Sequence, residues 1–403
     1  MTQLKQNVND LVICRYLIIF ELITILFSPA ISNLLEIMLF AFCILSPHLR
    51  AHIFKQKNQP LVLGSIAFIC ILVISTTWSV ASQKETFESL WAWRKILLLP
   101  IAITLFQEDL WKEKMLKVFI FLSFVACTIS YISFFLNYSI HGYEPGVLLR
   151  SHTTQGVIFS VAAFTVFMNW MTVKPSQNKL TNILCIFFII ALALDVTWFS
   201  ISRSGYLALL TLTMISLVCY VVTKRKILAP VIISLLIPIL IWVSPNAATS
   251  IHRGINEIQK VDEISAPTSM GLRVKLWTNT IEMIKEKPLL GVGVGGFETA
   301  YSEKMKGAPE WQKYILYDPH NQFLKIIAEL GLIGLVVFIY MLATAFFQEP
   351  HSKKHKLLGL SVLIIWCGTG MFNSSFSTFS DARFLYIWLG VMLASNAPAK
   401  SIS

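Results

Sequence analysis

Charge is what this chain has least of. Only 14% of its 403 residues are Asp, Glu, Lys or Arg, while 55% are hydrophobic. A soluble domain carries about a quarter charged residues, so the composition excludes an ordinary soluble globular protein. Cysteine signatures are missing too. The seven cysteines, Cys14, Cys43, Cys70, Cys127, Cys185, Cys219 and Cys367, all lie inside apolar runs and form no Cys-x-x-Cys pair. Disulfide frameworks and thiolate metal sites are therefore not expected, and the cysteines read as packing residues. The eight histidines show no His-Glu-x-x-His spacing, so no metal centre and no cofactor are expected.

What is present is a succession of apolar runs, each near the ~18 residues that cross a bilayer. They lie near 11–29, 32–47, 61–80, 95–106, 116–137, 155–173, 181–200, 204–223, 227–244, 320–347, 357–373 and 383–396. The expected fold is all-α: a polytopic integral membrane protein of about twelve transmembrane helices with one large external loop containing amphipathic helices. The expected organisation is a membrane domain over 1–244, the loop over 245–319, and a second membrane part over 320–403. The first run follows Lys5 and Asp10 without a small-residue cleavage site, so it reads as a span rather than a signal peptide.

Basic residues orient the spans. With a cytoplasmic N-terminus, the even-numbered connections hold Arg50, Lys55, Lys57, Lys112, Lys114, Lys174, Lys179, Lys224, Arg225, Lys226, Lys353, Lys354 and Lys356. The short connections on the other side hold only Lys84, Arg94, Lys95, Arg150 and Arg203. This positive-inside bias accounts for much of the net charge of +11, places both termini in the cytoplasm, and puts 245–319 outside the inner membrane. Nucleic acid is not an expected partner. Trp78, Trp91, Trp93 and Trp311 fall at expected interfaces.

Within the loop, Gly271 to Leu290 reads as an amphipathic helix lying along the interface. Its stripe is Leu272, Leu276, Ile281 and Ile284, with Trp277 and Met283 nearby. Gly291, Gly293 and Gly296 then match Gly-x-Gly-x-x-Gly, but the dinucleotide fingerprint needs a preceding strand, and here a helix precedes it.

Three basic positions stand out. Arg203 lies in a short link between two apolar runs, where its planar fork suits a membrane-borne phosphate. Asp195, two helical turns earlier, either orients Arg203 or faces a polar cavity of its own. Arg273 opens the amphipathic helix. His320 follows Asp318 and Pro319, which are expected to cap and start a helix and so place His320 in its first turn, held neutral by the helix dipole. Gly331 and Gly334 lie about three turns deeper, where small residues allow close helix packing. His152, beside Arg150, is a further polar candidate.

Four motifs in order resemble the bacterial O-antigen ligase family, which also contains lipid-linked polysaccharide polymerases and protein O-oligosaccharyltransferases. They are Ser202-Arg203-Ser204-Gly205, Gly271-Leu272-Arg273-Val274-Lys275-Leu276-Trp277, Pro288-Leu289-Leu290-Gly291-Val292-Gly293, and His320-Asn321 with nine residues before Gly331-x-x-Gly334. The resemblance implies a metal-independent glycosyltransferase with its active face in the periplasm. Its donor would be an undecaprenyl-pyrophosphate-linked glycan and its acceptor a lipid A-core sugar hydroxyl. It implies that Arg203 and Arg273 bind the pyrophosphate and that His320 acts as base or positioner for the acceptor. Arg150, His152, Asn321, Asp195 and Arg94 are the lower-ranked substrate-binding candidates. One dominant loop favours a ligase in lipopolysaccharide biosynthesis. The alternatives are a polymerase, a protein O-oligosaccharyltransferase and, outside the family, a lipid-linked glycan flippase.

Overall fold

A computed structural model describes residues 2–25, 27–140, 142–149, 151–172, 179–223, 229–259, 269–307 and 318–395. All regular secondary structure among them is helical. In a bilayer only a helix or a closed barrel satisfies every backbone polar group internally, so apolar runs of this length fold as helices.

In chain order the helices are α1 (Thr2–Thr24), α2 (Pro29–Leu45), α3 (Pro47–Lys55), α4 (Pro60–Ile74), α5 (Gln83–Trp93) and α6 (Leu98–Leu105). The middle of the chain forms α7 (Asp109–Phe135), α8 (His152–Thr172), α9 (Lys179–Leu194), α10 (Arg203–Thr223) and α11 (Ala229–Val243). The rest forms α12 (Pro245–Gln259), α13 (Ser269–Glu286), α14 (Phe297–Lys304), α15 (Gln322–Thr344), α16 (Lys353–Gly370) and α17 (Phe379–Leu393).

Among the described residues, five helical segments are long and apolar enough to cross a membrane: Pro60–Trp78, Asp109–Phe135, His152–Thr172, Lys179–Phe199 and Gln322–Phe347. A sixth is added if the bent pair Pro29–Leu45 and Pro47–Lys55 counts as one span. The protein is an all-helical membrane protein.

Its contacts divide into two compact units. The first comprises Met1–Leu49, Glu108–His252 and His351–Ile365. At its centre α8 packs on α7, α9 and α10 and is buried along most of its length. Gly156 on α8 faces Gly205 on α10 so closely that a β-carbon on either would stand 3.0 Å from the other's Cα. Any larger residue would push the two helices apart.

The second unit comprises Arg50–Gln107, Arg253–Pro350 and Trp366–Ser403. Here α15 packs along α4, α17 along α6, and α13 and α14 against α15. Trp93, expected at an interface, is instead core: it is 3% exposed, with its ring 5.1 Å from Phe68 and 6.5 Å from Phe338. Trp311 lies outside the described residues.

Candidate active site

In the second unit the site is built on α13. Leu276 and Met283 are buried with Phe297, Tyr301, Met305 and Ala328, and Leu272, Trp277 and Ile284 pack against that cluster. The apolar stripe thus covers protein, on α14 and α15, rather than serving as a free interfacial face. Two expectations change. The helix ends at Glu286, because Pro288 cannot continue it, and Ile281 lies off the stripe, 44% exposed.

Arg273 and Trp277 are four residues apart and share a helix face. Trp277 Nε1 donates to the Pro319 carbonyl at 2.9 Å, which fastens α13 to the turn that carries His320. That turn differs from expectation. Asn321, not Asp318, caps α15: its Oδ1 accepts from the N–H groups of Phe323 (3.0 Å) and Leu324 (3.1 Å). The helix therefore begins at Gln322, and His320 precedes the cap rather than sitting in the first turn. With φ at +50°, it occupies the left-handed region that a side chain with a β-carbon rarely adopts. Asp318 holds it there by accepting the His320 N–H at 2.8 Å.

The imidazole is half-buried. Its Nδ1 stands 3.6 Å from Asp318 Oδ1. Burial pushes the His320 pKa below the usual histidine range; Asp318 opposes this, while the positive charges of Arg273 and Lys325 reinforce it. The ring is held neutral chiefly by loss of water rather than by a helix dipole. Neutral is the form that accepts a proton.

Eleven residues after His320, α15 breaks. Gly331 has φ +67° and ψ −171° inside the helix, and a β-carbon there would collide with the Leu289 carbonyl. The break frees backbone groups that a membrane helix cannot leave bare. The Pro288–Gly293 motif satisfies them. Val292 N–H donates to Ala328 O (2.9 Å), Gly293 N–H to Glu329 O (2.7 Å), and Leu332 N–H to Pro288 O (2.9 Å). The buried Glu329 carboxylate accepts from the N–H groups of Gly295 and Phe297, at the start of α14. The Gly-x-Gly-x-x-Gly match is thus a plug in a broken helix. Gly331 serves that break, not the expected close packing of helices.

In the first unit Arg203 is the first residue of α10. Its Nε and Nη2 donate to Ser250 Oγ (3.2 Å) and Ser250 O (2.8 Å). Asp195 does not orient it. That carboxylate is fully buried in a π-helical turn, Asp195–Phe199, where it accepts from Ser130 Oγ, from Gln155 Nε2 at 2.9 Å and from Ser200 Oγ at 2.8 Å. Its observed partners are thus the side chains of Ser130, Gln155 and Ser200. His152 opens α8, with Nδ1 donating to Ser200 O at 2.9 Å and Nε2 3.5 Å from Glu144 Oε2. His152 and Asp195 therefore converge on Ser200, three residues before Arg203. Arg150 lies outside the described residues.

Residues 187–339, which include Arg203, Arg273 and His320, match the family described as O-antigen ligase. Over that segment the chain is similar to the O-antigen ligase family. It is 24% identical over 338 residues, 81% of this chain and 82% of the relative, to an uncharacterized protein of Haemophilus influenzae (strain ATCC 51907 / DSM 11121 / KW20 / Rd). It is 36% identical over 87 residues to the exopolysaccharide production protein ExoQ of Rhizobium meliloti (strain 1021), a match over 19% of this chain and 18% of that one.

Arg94 stacks over Trp91, 4.2 Å from the ring centroid, and donates from Nη1 to the Trp91 carbonyl at 2.7 Å. Several buried polar residues were not singled out as candidates from the sequence: Gln155 in the first unit, and Lys95, Gln322, Glu329 and Arg383 in the second. The signal for them was available, since each is a polar residue within or beside an apolar run, where such residues are costly unless they have a function or a partner.

Proposed function

We propose that the protein is a metal-independent glycosyltransferase of the periplasmic face of the bacterial inner membrane, with about twelve spans, both termini cytoplasmic and 245–319 as its external loop. It moves a glycan from undecaprenyl pyrophosphate to a lipid A-core sugar hydroxyl, in lipopolysaccharide biosynthesis. The observation that carries this reading is His320: a half-buried, neutral imidazole beside Arg273, tied to α13 through Trp277 and within the matched segment.

In the reaction the acceptor hydroxyl gives its proton to His320 Nε2, the ring nitrogen that does not face Asp318. The hydroxyl oxygen bonds to the anomeric carbon with inversion. The carbon–oxygen bond to pyrophosphate breaks, and its electron pair leaves with undecaprenyl pyrophosphate. Arg273 stabilises the charge that develops on the leaving group, and Arg203, in the first unit, is proposed as a phosphate-binding residue by its fork of donors.

The test is the lipopolysaccharide profile of a deletion strain complemented with wild type or His320→Ala. Intact capped core with His320→Ala would sink the assignment. The likeness to an exopolysaccharide production protein supports a second reading, a lipid-linked polysaccharide polymerase. Loss of all capping marks a ligase; capping by single units marks a polymerase.

A further inference from the structure

The corner between α2 and α3 is built rather than frayed. α3 turns 90° away from α2. Ser46 stands at the corner: its Oγ accepts the Leu49 N–H at 3.4 Å, capping α3 ahead of Pro47, and donates to Asp10 Oδ2 at 2.8 Å. α2 is apolar and 17 residues long, so it reaches about 26 Å at 1.5 Å per residue, close to the ~30 Å of a bilayer's hydrocarbon core. It ends on Ile44 and Leu45, 66% and 77% exposed. A helix that leaves such a span at a right angle runs along the membrane surface instead of through it.

α3 has the face that this position calls for. Leu49 is buried, while Pro47, Arg50, Ala51, Phe54 and Lys55 are exposed. At 3.6 residues per turn, Pro47, Ala51 and Phe54 form one ridge, with Arg50 on one flank and Lys55 on the other. Phe54 is 65% exposed, and Lys57, in the turn that follows, sets its Nζ 3.9 Å from the Phe54 ring centroid. No acidic residue lies between Glu36 and Glu85, so the three cations meet no carboxylate from their own stretch of chain.

An exposed apolar ridge flanked by cations is complementary to the boundary between lipid headgroups and acyl chains. There the aromatic ring enters the apolar side, while arginine and lysine reach back to the phosphates. Cations at that depth attract anionic lipids, and neutral headgroups do not return the attraction.

We infer that α3, with Lys57, is an in-plane anchor that collects anionic phospholipids, with the Phe54 ring in the bilayer and Arg50, Lys55 and Lys57 on lipid phosphates. The anchor includes none of the residues assigned to glycan transfer and stands whether or not that reading does.

The full-length protein is placed in nanodiscs of equal phosphatidylglycerol and phosphatidylcholine, with Phe54 replaced by the photocrosslinking benzoylphenylalanine. Lipid adducts at that position are read by mass spectrometry, so lipid held at any other site does not enter the count. The same probe at Ile74, exposed in the apolar span that follows α3, reports the bulk ratio. Phosphatidylglycerol adducts are expected to be enriched about fivefold at position 54, the factor for one cation near an anionic surface. In Arg50→Gln/Lys55→Gln/Lys57→Gln they should return to the bulk ratio. All three side chains are exposed, so this variant should unfold at the wild-type temperature. Lipid adducts at position 74 but none at 54, or protein adducts in their place, would put α3 away from the bilayer and overturn the anchor. So would the bulk ratio at position 54, or an enrichment that the triple variant keeps.

Discussion

Asp318 holds His320 in two ways: its Oδ1 accepts the backbone N–H at 2.8 Å and stands 3.6 Å from the ring Nδ1. One carboxylate therefore sets both an unusual backbone conformation and the charge beside the imidazole. The two effects separate in Asp318→Asn, which keeps an acceptor for the turn and removes the charge.

The direction of the pH response follows. A general base works when neutral, so transfer should fall as pH drops through the His320 pKa, which lies below the ordinary value of 6.5. Asp318 raises that pKa and Arg273 lowers it. Asp318→Asn should move the acid limb of kcat/KM to lower pH, and Arg273→Gln should move it to higher pH. Displacements of the two limbs in the same direction would rule out His320 as the titrating base.

The strain at His320 predicts a split between stability and activity. A left-handed residue with a β-carbon costs roughly 1–2 kcal/mol relative to glycine. His320→Gly should unfold at the same temperature as wild type or higher, while His320→Ala should not gain. Transfer should fall about 10²–10⁴-fold in both, the range for loss of an acid–base group. Thermal unfolding in detergent and a transfer assay read the two halves.

Gly331→Ala should be severe although it adds one methyl group. Its backbone has φ +67°, and the new β-carbon meets the Leu289 carbonyl. The Pro288–Gly293 plug has to move, and its bonds to Ala328, Glu329 and Leu332 weaken with it. A loss of about 3 kcal/mol or more is expected, read as a lower unfolding temperature or poor membrane expression.

Asp195→Asn tests the buried network of the first unit. Three side-chain donors point at this carboxylate, and an amide nitrogen in place of one oxygen would face a donor. A destabilisation of about 2–4 kcal/mol is expected, with the acid limb of the pH profile unmoved. A shifted limb with unchanged stability would instead make Asp195 part of the chemistry.

Helical class and membrane character were legible in the sequence because charge is scarce and apolar runs recur at bilayer length. The order and spacing of Arg203, Arg273 and His320 were legible as well, since motif spacing is a property of the chain alone. Where α15 starts was not. Asp318-Pro319-His320-Asn321 offers two capping residues, and local chemistry does not choose between them. The choice is made 42 residues away: Trp277 Nε1 takes the Pro319 carbonyl that a helix starting there would have given to Phe323, and Phe323 N–H turns to Asn321 instead.

The broken helix and the partner of Asp195 belong to the same class. Gly331 reads as a packing glycine until the Pro288–Gly293 segment is seen to supply the missing bonds. Asp195 reads either as a partner for Arg203 or as a group with polar surroundings of its own until Ser130 and Gln155, 65 and 40 residues earlier, arrive around it. Periodicity and composition are local quantities, so the sequence by itself determined which segments are helices and which residue types stand at their mouths. Hydrogen bonds between distant residues decided how those mouths are built, because in a dry interior every polar group must find a partner and only the folded chain brings the partners together.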